Sequence, residues 1–373
     1  MFESHHQLQT RYYAGSFVIG VCSMRKKRKK LILNLCLQLL VTGVLLVGFA
    51  LPHHVIPRMR AKAAQTAAVP TATPIPLTTP APTAEPESEA APETEAPPDT
   101  RTEWQKKFAD RFTDEVIVTE NSYTSPNVSI TIEKKDYQSA ADGQKSVYFV
   151  ADVYVGSIEC FGSSLLHNQL TYYATAPMAE CASEVNAICA INGDFTCYQD
   201  FDGYAVTYRN GQLFRKGEYS TYQVCALFND GTMETYFPKE YNFDELMERG
   251  LWQFWHFGPL LINADGTPNT KYDWQEGIAY NNPRTAVGYY EPGHYCYVVV
   301  DGRQDGYSAG LKLSELAQLM VDMGCKTAYN LDGGGSTQLY FNGNILSSPS
   351  NGNPRPLGDI LYVCEPTEKE ANG

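Results

Sequence analysis

This chain of 373 residues has no Cys-x-x-Cys pair, and beyond residue 60 its histidines are reduced to His167, His256 and His294, far apart in the chain. Zinc sites draw their thiolates and imidazoles from closely spaced pairs, so a Cys/His zinc centre is not supported. Charge is also scarce, at 19% of residues, and it is lopsided: after residue 100 there are 35 Asp and Glu against 19 Lys and Arg. A domain that acidic repels a phosphate backbone as a whole, which argues against nucleic acid as a partner. No internal repeat is visible. Three glycine-bearing segments lack the residue that would make them familiar. Gly333-Gly334-Gly335-Ser336-Thr337 has no lysine before its serine and is no nucleotide-phosphate cradle. Gly306-Tyr307-Ser308-Ala309-Gly310 matches the G-x-S-x-G elbow of serine hydrolases, but a polar loop precedes it and no histidine follows. The stretch 301–312 lacks the closing glutamate of a calcium loop.

What is present is a core-forming composition. Hydrophobic residues make up 43%, and 25 Tyr outnumber 16 Phe and 4 Trp together, which excludes a wholly disordered, collagen-like or coiled-coil chain. The tyrosine excess fits an extracytoplasmic or carbohydrate-facing surface. The length suits one large domain or two ordinary ones. Near the start, six cations at 25–30 (RKKRKK) precede an uncharged apolar run, residues 31–51. That run is long enough to cross a hydrocarbon core of about 30 Å, and the basic flank keeps residues 1–30 in the cytoplasm and the rest outside. We read it as an uncleaved transmembrane helix. A cleaved signal peptide ending at Gly48-Phe49-Ala50 is the alternative, and Met24 is an alternative start. Within the linker 52–100, the segment Pro70–Pro98 holds 9 Pro, 6 Thr, 6 Ala and 5 Glu in 29 residues, a disordered, extended stalk with almost nothing to bury.

Residues 101–144 are expected to form an extension to the main domain, 145–365, with 366–373 as a tail. The pattern is α+β: mixed β-sheets with a few helices. A short helix is expected at Thr102–Phe112, and strands at Asn127–Glu133, Val147–Val155, Ala187–Ile191, Gln223–Phe228, Thr285–Tyr290, Tyr295–Val300, Thr327–Leu331, Thr337–Phe341 and Ile360–Val363. One longer helix is marked by Leu316, Leu319, Met320 and Met323, with Ser314 as its cap and Gly324 as its stop. Eight cysteines beyond residue 60 would face an oxidising compartment under this topology, though several sit in apolar strands where buried thiols fit equally well.

Residues 294–338 read strand, loop, helix, strand, Gly-rich loop. Such a unit joins parallel neighbours, so Asp301 and Asp332 would both stand just past strand C-termini, on strands about 4.8 Å apart. Ligands of open α/β sheets sit at that end. Asp-Gly is also an ordinary turn pair, but three successive glycines after Asp332 suggest main-chain N–H groups brought close to an anion. Elsewhere, Ile191-Asn192-Gly193-Asp194-Phe195 ends an apolar strand with an amide and a carboxylate. Arg284, in Asn282-Pro283-Arg284-Thr285-Ala286, offers a planar fork suited to phosphate, with an ordinary surface salt bridge as the alternative. The aromatic run Trp252–Phe257 is read as core rather than as a sugar platform.

Taken in order, INGDF, FGP, NPRTAVG, DGR, YSAG and NLDGGGST resemble the phosphodiester glycosidase family, over roughly residues 145–365. The resemblance implies hydrolysis of a sugar-1-phosphodiester. It carries over Asn192, Gly193, Arg284, Asp301, Ser308, Asp332, Gly333, Gly334 and Gly335 as site residues, with Asp194 as a further catalytic candidate. Such a reaction builds positive charge on the sugar and releases a phosphate monoester, an anion that needs little help from an acid. Arg284 and the 333–336 backbone, including Ser336, would hold the phosphate, and Asp332 or Asp301 would serve as base or nucleophile. The function expected is a membrane-anchored extracytoplasmic hydrolase acting on a glycosyl phosphodiester or envelope polysaccharide, in cell-envelope or exopolysaccharide metabolism. The rival readings are a catalytically idle polysaccharide-binding module and a serine hydrolase using Ser308. No organic cofactor is implied; a divalent cation on Asp301, Asp305 and Asp332 is an open alternative.

Overall fold

A run such as His294–Val300, apolar at nearly every position, has two faces to bury and belongs in the middle of a sheet covered on both sides. That is its place in the computed structural model, which describes residues 99–198, 206–217, 222–272 and 280–366. The apolar run 31–51 and the Pro-rich stalk lie outside the described residues. Among the described residues, no helix is long and apolar enough to cross a membrane.

The central layer is a seven-stranded sheet in the order β1-β2-β3-β4-β13-β12-β14. Its strands are β1 (Ile117–Val118), β2 (Ser122–Thr124), β3 (Val128–Gln138), β4 (Lys145–Val155), β12 (Arg284–Glu291), β13 (His294–Val300) and β14 (Thr327–Asn330). A five-stranded sheet runs β10-β9-β11-β7-β8, from β7 (Thr207–Arg209), β8 (Gln212–Arg215), β9 (Val224–Phe228), β10 (Met233–Tyr236) and β11 (Leu251–Trp255). The third sheet runs β16-β15-β6-β17-β5, from β5 (Phe161–Leu165), β6 (Cys189–Asn192), β15 (Leu339–Phe341), β16 (Asn344–Ile345) and β17 (Asp359–Val363). Four α-helices are described: α1 (Glu103–Lys107), α2 (Met178–Glu184), α3 (Phe243–Glu248) and α4 (Leu313–Asp322).

Period-two alternation on β13 explains the layering. Tyr295, Tyr297 and Val299 join a core shared with Ile191, Leu339 and Leu361 of the third sheet and Cys225, Leu227 and Trp255 of the second. Cys296, Val298 and Val300 point the other way, onto Leu313, Leu316, Ala317 and Met320 of α4. The central sheet is therefore covered by two sheets on one face and by a helix on the other.

The α+β expectation holds, with two corrections. The sheets are not mixed: their paired strands run antiparallel. The strand–helix–strand unit exists, but its strands are not neighbours. β13 and β14 both pair antiparallel with β12, which lies between them, so they run in the same direction without touching. Helix α4 also begins earlier than the Ser314 cap. Lys312 is the boundary residue, and its N–H is bonded by the Glu315 carboxylate at 3.0 Å. Helix α1 ends at Lys107, short of the expected Phe112: Phe108 is its C-cap, with its N–H on the Trp104 carbonyl at 2.9 Å. The aromatic run goes to core in part: Phe254 and Trp255 are fully buried, whereas Trp252 and Phe257 are half-buried. The eight cysteines from Cys160 to Cys364 are buried, and none of them is joined in a disulfide.

Candidate active site

Because β12 runs opposite to β13 and β14, its N-terminus lies at the same sheet edge as their C-termini. Three loops leave that edge side by side: the one after β13, the one after β14, and the one entering β12. The turn after β6 arrives from the third sheet and completes the set. Between them lies a cleft of about 220 Å³, with Asp332 and Gly333–Gly335 on one wall and Arg284, Arg303 and Arg355 around it. Phe257 and Pro283 close it on the apolar side.

Asp332 is the sole carboxylate among the described residues lining this cleft. Its Oδ1 accepts the Gly333 N–H at 2.8 Å. Burial pushes its pKa up to about 6, against the opposing pull of the Ser336 hydroxyl, the Gly333 N–H and the Arg355 charge. Arg355 reaches the same corner, its Nη1 donating to Ser336 Oγ at 3.1 Å. Arg303 donates Nε and Nη2 to Asn282 Oδ1 at 3.0 and 2.7 Å, which holds that edge of its guanidinium at the cleft wall. Arg284, only 4% exposed, donates Nε to the Leu311 carbonyl at 3.0 Å and Nη2 to that of Tyr280 at 2.7 Å. Burial lowers its pKa to about 10, which still leaves it cationic at neutral pH.

The three glycines are explained by what approaches them. A Cβ at Gly333 would lie 2.7 Å from the Pro283 carbonyl, at Gly334 3.1 Å from two Arg303 nitrogens, and at Gly335 2.8 Å from Arg355 Nη2. Gly334 also has φ +61°. The triglycine thus lets two guanidiniums lie against the backbone. Its amides are largely engaged: Gly333 on the Asp332 carboxylate, Gly334 on the carbonyl of Pro283 in the loop entering β12 at 3.0 Å, Ser336 on the Gly333 carbonyl at 3.2 Å. Positive charge at the cleft comes from arginine side chains more than from the N–H groups expected of this loop.

Asn192 and Gly193 sit under Asp332. Asn192 Nδ2 donates to the Asp332 carbonyl at 2.6 Å while its Oδ1 accepts from Thr285 Oγ1 at 2.7 Å. The Asp332 N–H donates to the Gly193 carbonyl at 3.2 Å, and a Cβ on Gly193 would fall 1.8 Å from Asp359 Oδ2. Asp194 lies one layer deeper and does not line the cleft. It is fully buried, its Oδ2 accepting Arg209 Nη2 at 2.8 Å and the His256 N–H at 3.0 Å. Burial works to raise its pKa, but the Arg209 charge and the His256 contacts hold it below the usual carboxylate value. Asp359, which accepts the Asp194 N–H at 2.7 Å, is pushed well above that value by burial and by the neighbouring Asp194 charge. Burial also takes His256 down to about 4, so it is neutral at pH 7.

Asp301 and Ser308 are placed elsewhere. Asp301 is fully buried, its oxygens accepting from Tyr307 Oη at 2.9 Å and Ser348 N at 2.8 Å, and burial raises its pKa. Ser308 Oγ donates to the Asp301 carbonyl at 2.6 Å and accepts the Val147 N–H at 2.9 Å, so its hydroxyl braces the loop. With β12 intervening, the two strands that carry Asp301 and Asp332 are about 10 Å apart, twice the spacing expected. The cation set Asp301, Asp305 and Asp332 is not assembled; among the described residues no three His, Cys, Asp or Glu are placed to hold a metal.

Sequence reasoning passed over Arg303, Arg355 and Phe257 as site residues. Arg303 lay within the noted DGR. Arg355 had a signal that could have found it, since Asn353-Pro354-Arg355 repeats Asn282-Pro283-Arg284.

One carboxylate of raised pKa among three guanidiniums defines a site for an anionic ligand. Comparison with known proteins finds a likeness over part of the chain. Residues 185–364 match the family described as phosphodiester glycosidase, which shows for this stretch the likeness that its motifs suggested. An uncharacterized SPbeta prophage-derived protein, YomE, of Bacillus subtilis is 31% identical over 179 residues, 48% of this chain and 27% of that protein. N-acetylglucosamine-1-phosphodiester alpha-N-acetylglucosaminidase of Bos taurus is 29% identical over 157 residues, 37% of this chain and 29% of that enzyme. The chain therefore spans less than a third of these relatives. The catalytic domain of the zebrafish enzyme of the same name, in a form auto-inhibited by its pro-peptide, superposes with a TM-score of 0.52 at 21% identity, over 67% of this chain and 88% of that domain. That likeness is one of fold.

Proposed function

We propose that this chain is a hydrolase that cleaves the sugar–oxygen bond of a glycosyl-1-phosphodiester. The observation that carries the reading is the convergence of the Asp332 carboxylate with Arg284, Arg303 and Arg355 on one cleft of about 220 Å³. The arginines bind the bridging phosphate and stabilise the charge it gains as the C1–O bond breaks. Its electron pair leaves with the phosphate, giving a monoester whose second pKa is about 6, so no strong general acid is required. Asp332, ionised above pH 6, takes the proton of the water that attacks C1. The names of the mammalian relatives support N-acetylglucosamine as the sugar.

The basic block and apolar run at 25–51 support a single-pass anchor with this domain outside the cell. The Pro-rich linker then acts as a spacer and the substrate is a cell-envelope or exopolysaccharide component. Protease accessibility of the domain on intact cells tests that topology.

The activity is tested by incubating purified protein with the methyl phosphodiester of N-acetylglucosamine-1-phosphate and following products by phosphorus and proton NMR. Free sugar and methyl phosphate are expected, and Asp332→Asn should lower kcat/KM by roughly 10²–10⁴-fold without loss of fold. Binding without turnover by the wild type would return the chain to the class of polysaccharide-binding modules.

A further inference from the structure

Strand β12 carries a glycine in its middle, Gly288, paired with Cys296 on β13 and with Ala328 on β14. A Cβ there would stand 2.7 Å from Cys296 Sγ, 2.8 Å from Cys325 Sγ and 2.6 Å from Met320 Cε, so the position has no room for a side chain. The bare backbone opens a window on the α4 face of the sheet. Two thiols from either side of β12 meet in it, their sulfurs 3.8 Å apart. Cys296 comes from β13. Cys325 comes from the turn between α4 and β14, where its N–H donates to the Met320 carbonyl at 3.1 Å. Both lie in the core beneath α4, Cys296 0% and Cys325 7% exposed. Gly288 is four residues along β12 from Arg284, roughly 13 Å, which sets the pair apart from the cleft at Asp332.

We propose that Cys296 and Cys325 are a dithiol couple that closes to a disulfide over Gly288 by exchange with a low-molecular-weight disulfide. Closure shortens the gap between the sulfurs by roughly 1.8 Å. The exchange balances in two steps. Cys325, the more exposed thiol, attacks the small disulfide as thiolate and releases one small thiol, leaving a mixed disulfide. Cys296 then attacks Cys325 Sγ and releases the second small thiol. The two cysteine protons end on the two released thiols, which are the reduced product. The hydrogen bond with Cys296 draws the Cys325 thiol below its ordinary value and holds Cys296 above it, in keeping with this order. The bond closes a loop of about 30 residues that contains the whole of α4, and so staples that helix to both strands flanking β12. It persists in an extracytoplasmic compartment and is opened by cytosolic thiols.

The experiment treats the full chain, first reduced with dithiothreitol and then freed of it, with hydroxyethyl disulfide. Remaining thiols are blocked with iodoacetamide in denaturant, and the protein is digested without reduction for mass spectrometry. A peptide pair joined through Cys296 and Cys325 is expected, with a melting temperature roughly 5–10 °C above that of the reduced protein. Dithiothreitol should reverse both. Cys325→Ala should abolish the linked pair and the gain in melting temperature. Should that variant fold poorly, Cys325→Ser is the second, with the same expectation. Both cysteines recovered as alkylated thiols, or arrest at a mixed disulfide on Cys325, overturns the couple. A gain that survives in the variants overturns the staple. These readouts need no turnover, so they stand or fall separately from the hydrolase reading.

Discussion

The side-chain amide of Asn192 donates to the backbone carbonyl of Asp332 at 2.6 Å, across 140 residues of chain. Its oxygen meanwhile accepts from Thr285 Oγ1 and from the Gln338 N–H at 3.3 Å. One buried amide thus joins the turn after β6, the start of β12 and both ends of the triglycine loop. Asn192→Asp keeps the size but loses the donor. It should cost about 1–3 kcal/mol in stability, through an unsatisfied carbonyl. It should also lower kcat by roughly 10²-fold through misplacement of Asp332. Urea unfolding and steady-state rates measure both; retention of full kcat would refute the positioning role.

The pKa of about 6 at Asp332 has two consequences of opposite sign. Catalysis by the carboxylate requires ionisation, so kcat/KM should rise with pH and reach half its plateau near 6. Stability behaves the other way. The folded-state pKa lies above the ordinary 3.8, so the folded protein holds this proton more tightly than the unfolded chain. The associated stabilisation is complete below pH 3.8 and disappears as pH rises through 6. Thermal melts of wild type and Asp332→Asn from pH 4 to 7 should therefore show the wild type losing ground to the variant. A rate profile that falls through pH 6 would reverse the assignment of Asp332 to a general acid.

Arg355 uses one nitrogen on Ser336 and lies over Gly335, which leaves the rest of a planar fork toward the cleft. Lysine keeps the charge but lacks the fork. Arg355→Lys should weaken inhibition by inorganic phosphate roughly ten-fold. Arg355→Ala should weaken it by up to about 100-fold, the range set by hydrogen bonds to charged groups. Inhibition constants in phosphate titrations read the effect directly, and identical values for the three proteins would remove Arg355 from the anion site.

Asp194 and Arg209 form an ion pair at 2.8 Å with side chains 0% and 1% exposed. Removing one partner leaves an uncompensated buried charge. Asp194→Asn should therefore destabilise the fold by about 3–5 kcal/mol. If Asp194 were catalytic as well, its loss would abolish turnover in protein that remains folded at low temperature. The expectation from its depth is residual activity in that folded fraction, measured below the lowered melting temperature.

Strand positions were legible because alternation and apolar runs are local signals. β4, β9, β12, β13 and β17 start and end within two residues of the segments marked by pattern. β7, β8 and β16, of two to four residues, carry too few positions for a period to emerge. Helix α4 announced itself by Leu316, Leu319 and Met320, yet its start was misread. A serine within the first turn resembles a cap, whereas Glu315 is what binds the Lys312 amide.

The order of motifs, the apolar faces and the run Asn330–Ser336 are properties of the chain written out, and they sufficed to select Asp332, Arg284, Asn192 and Gly193, which meet in space. They were silent on strand order. A strand's pattern states which face it buries, not which strand lies beside it, and hydrogen-bond partners are chosen by the folded whole. Insertion of β12 between β13 and β14 separated Asp301 from Asp332 and put Arg284 in the gap. The same folding carried Arg303 and Arg355, from two polar loops with no periodicity to betray them, onto the bare backbone of Gly334 and Gly335.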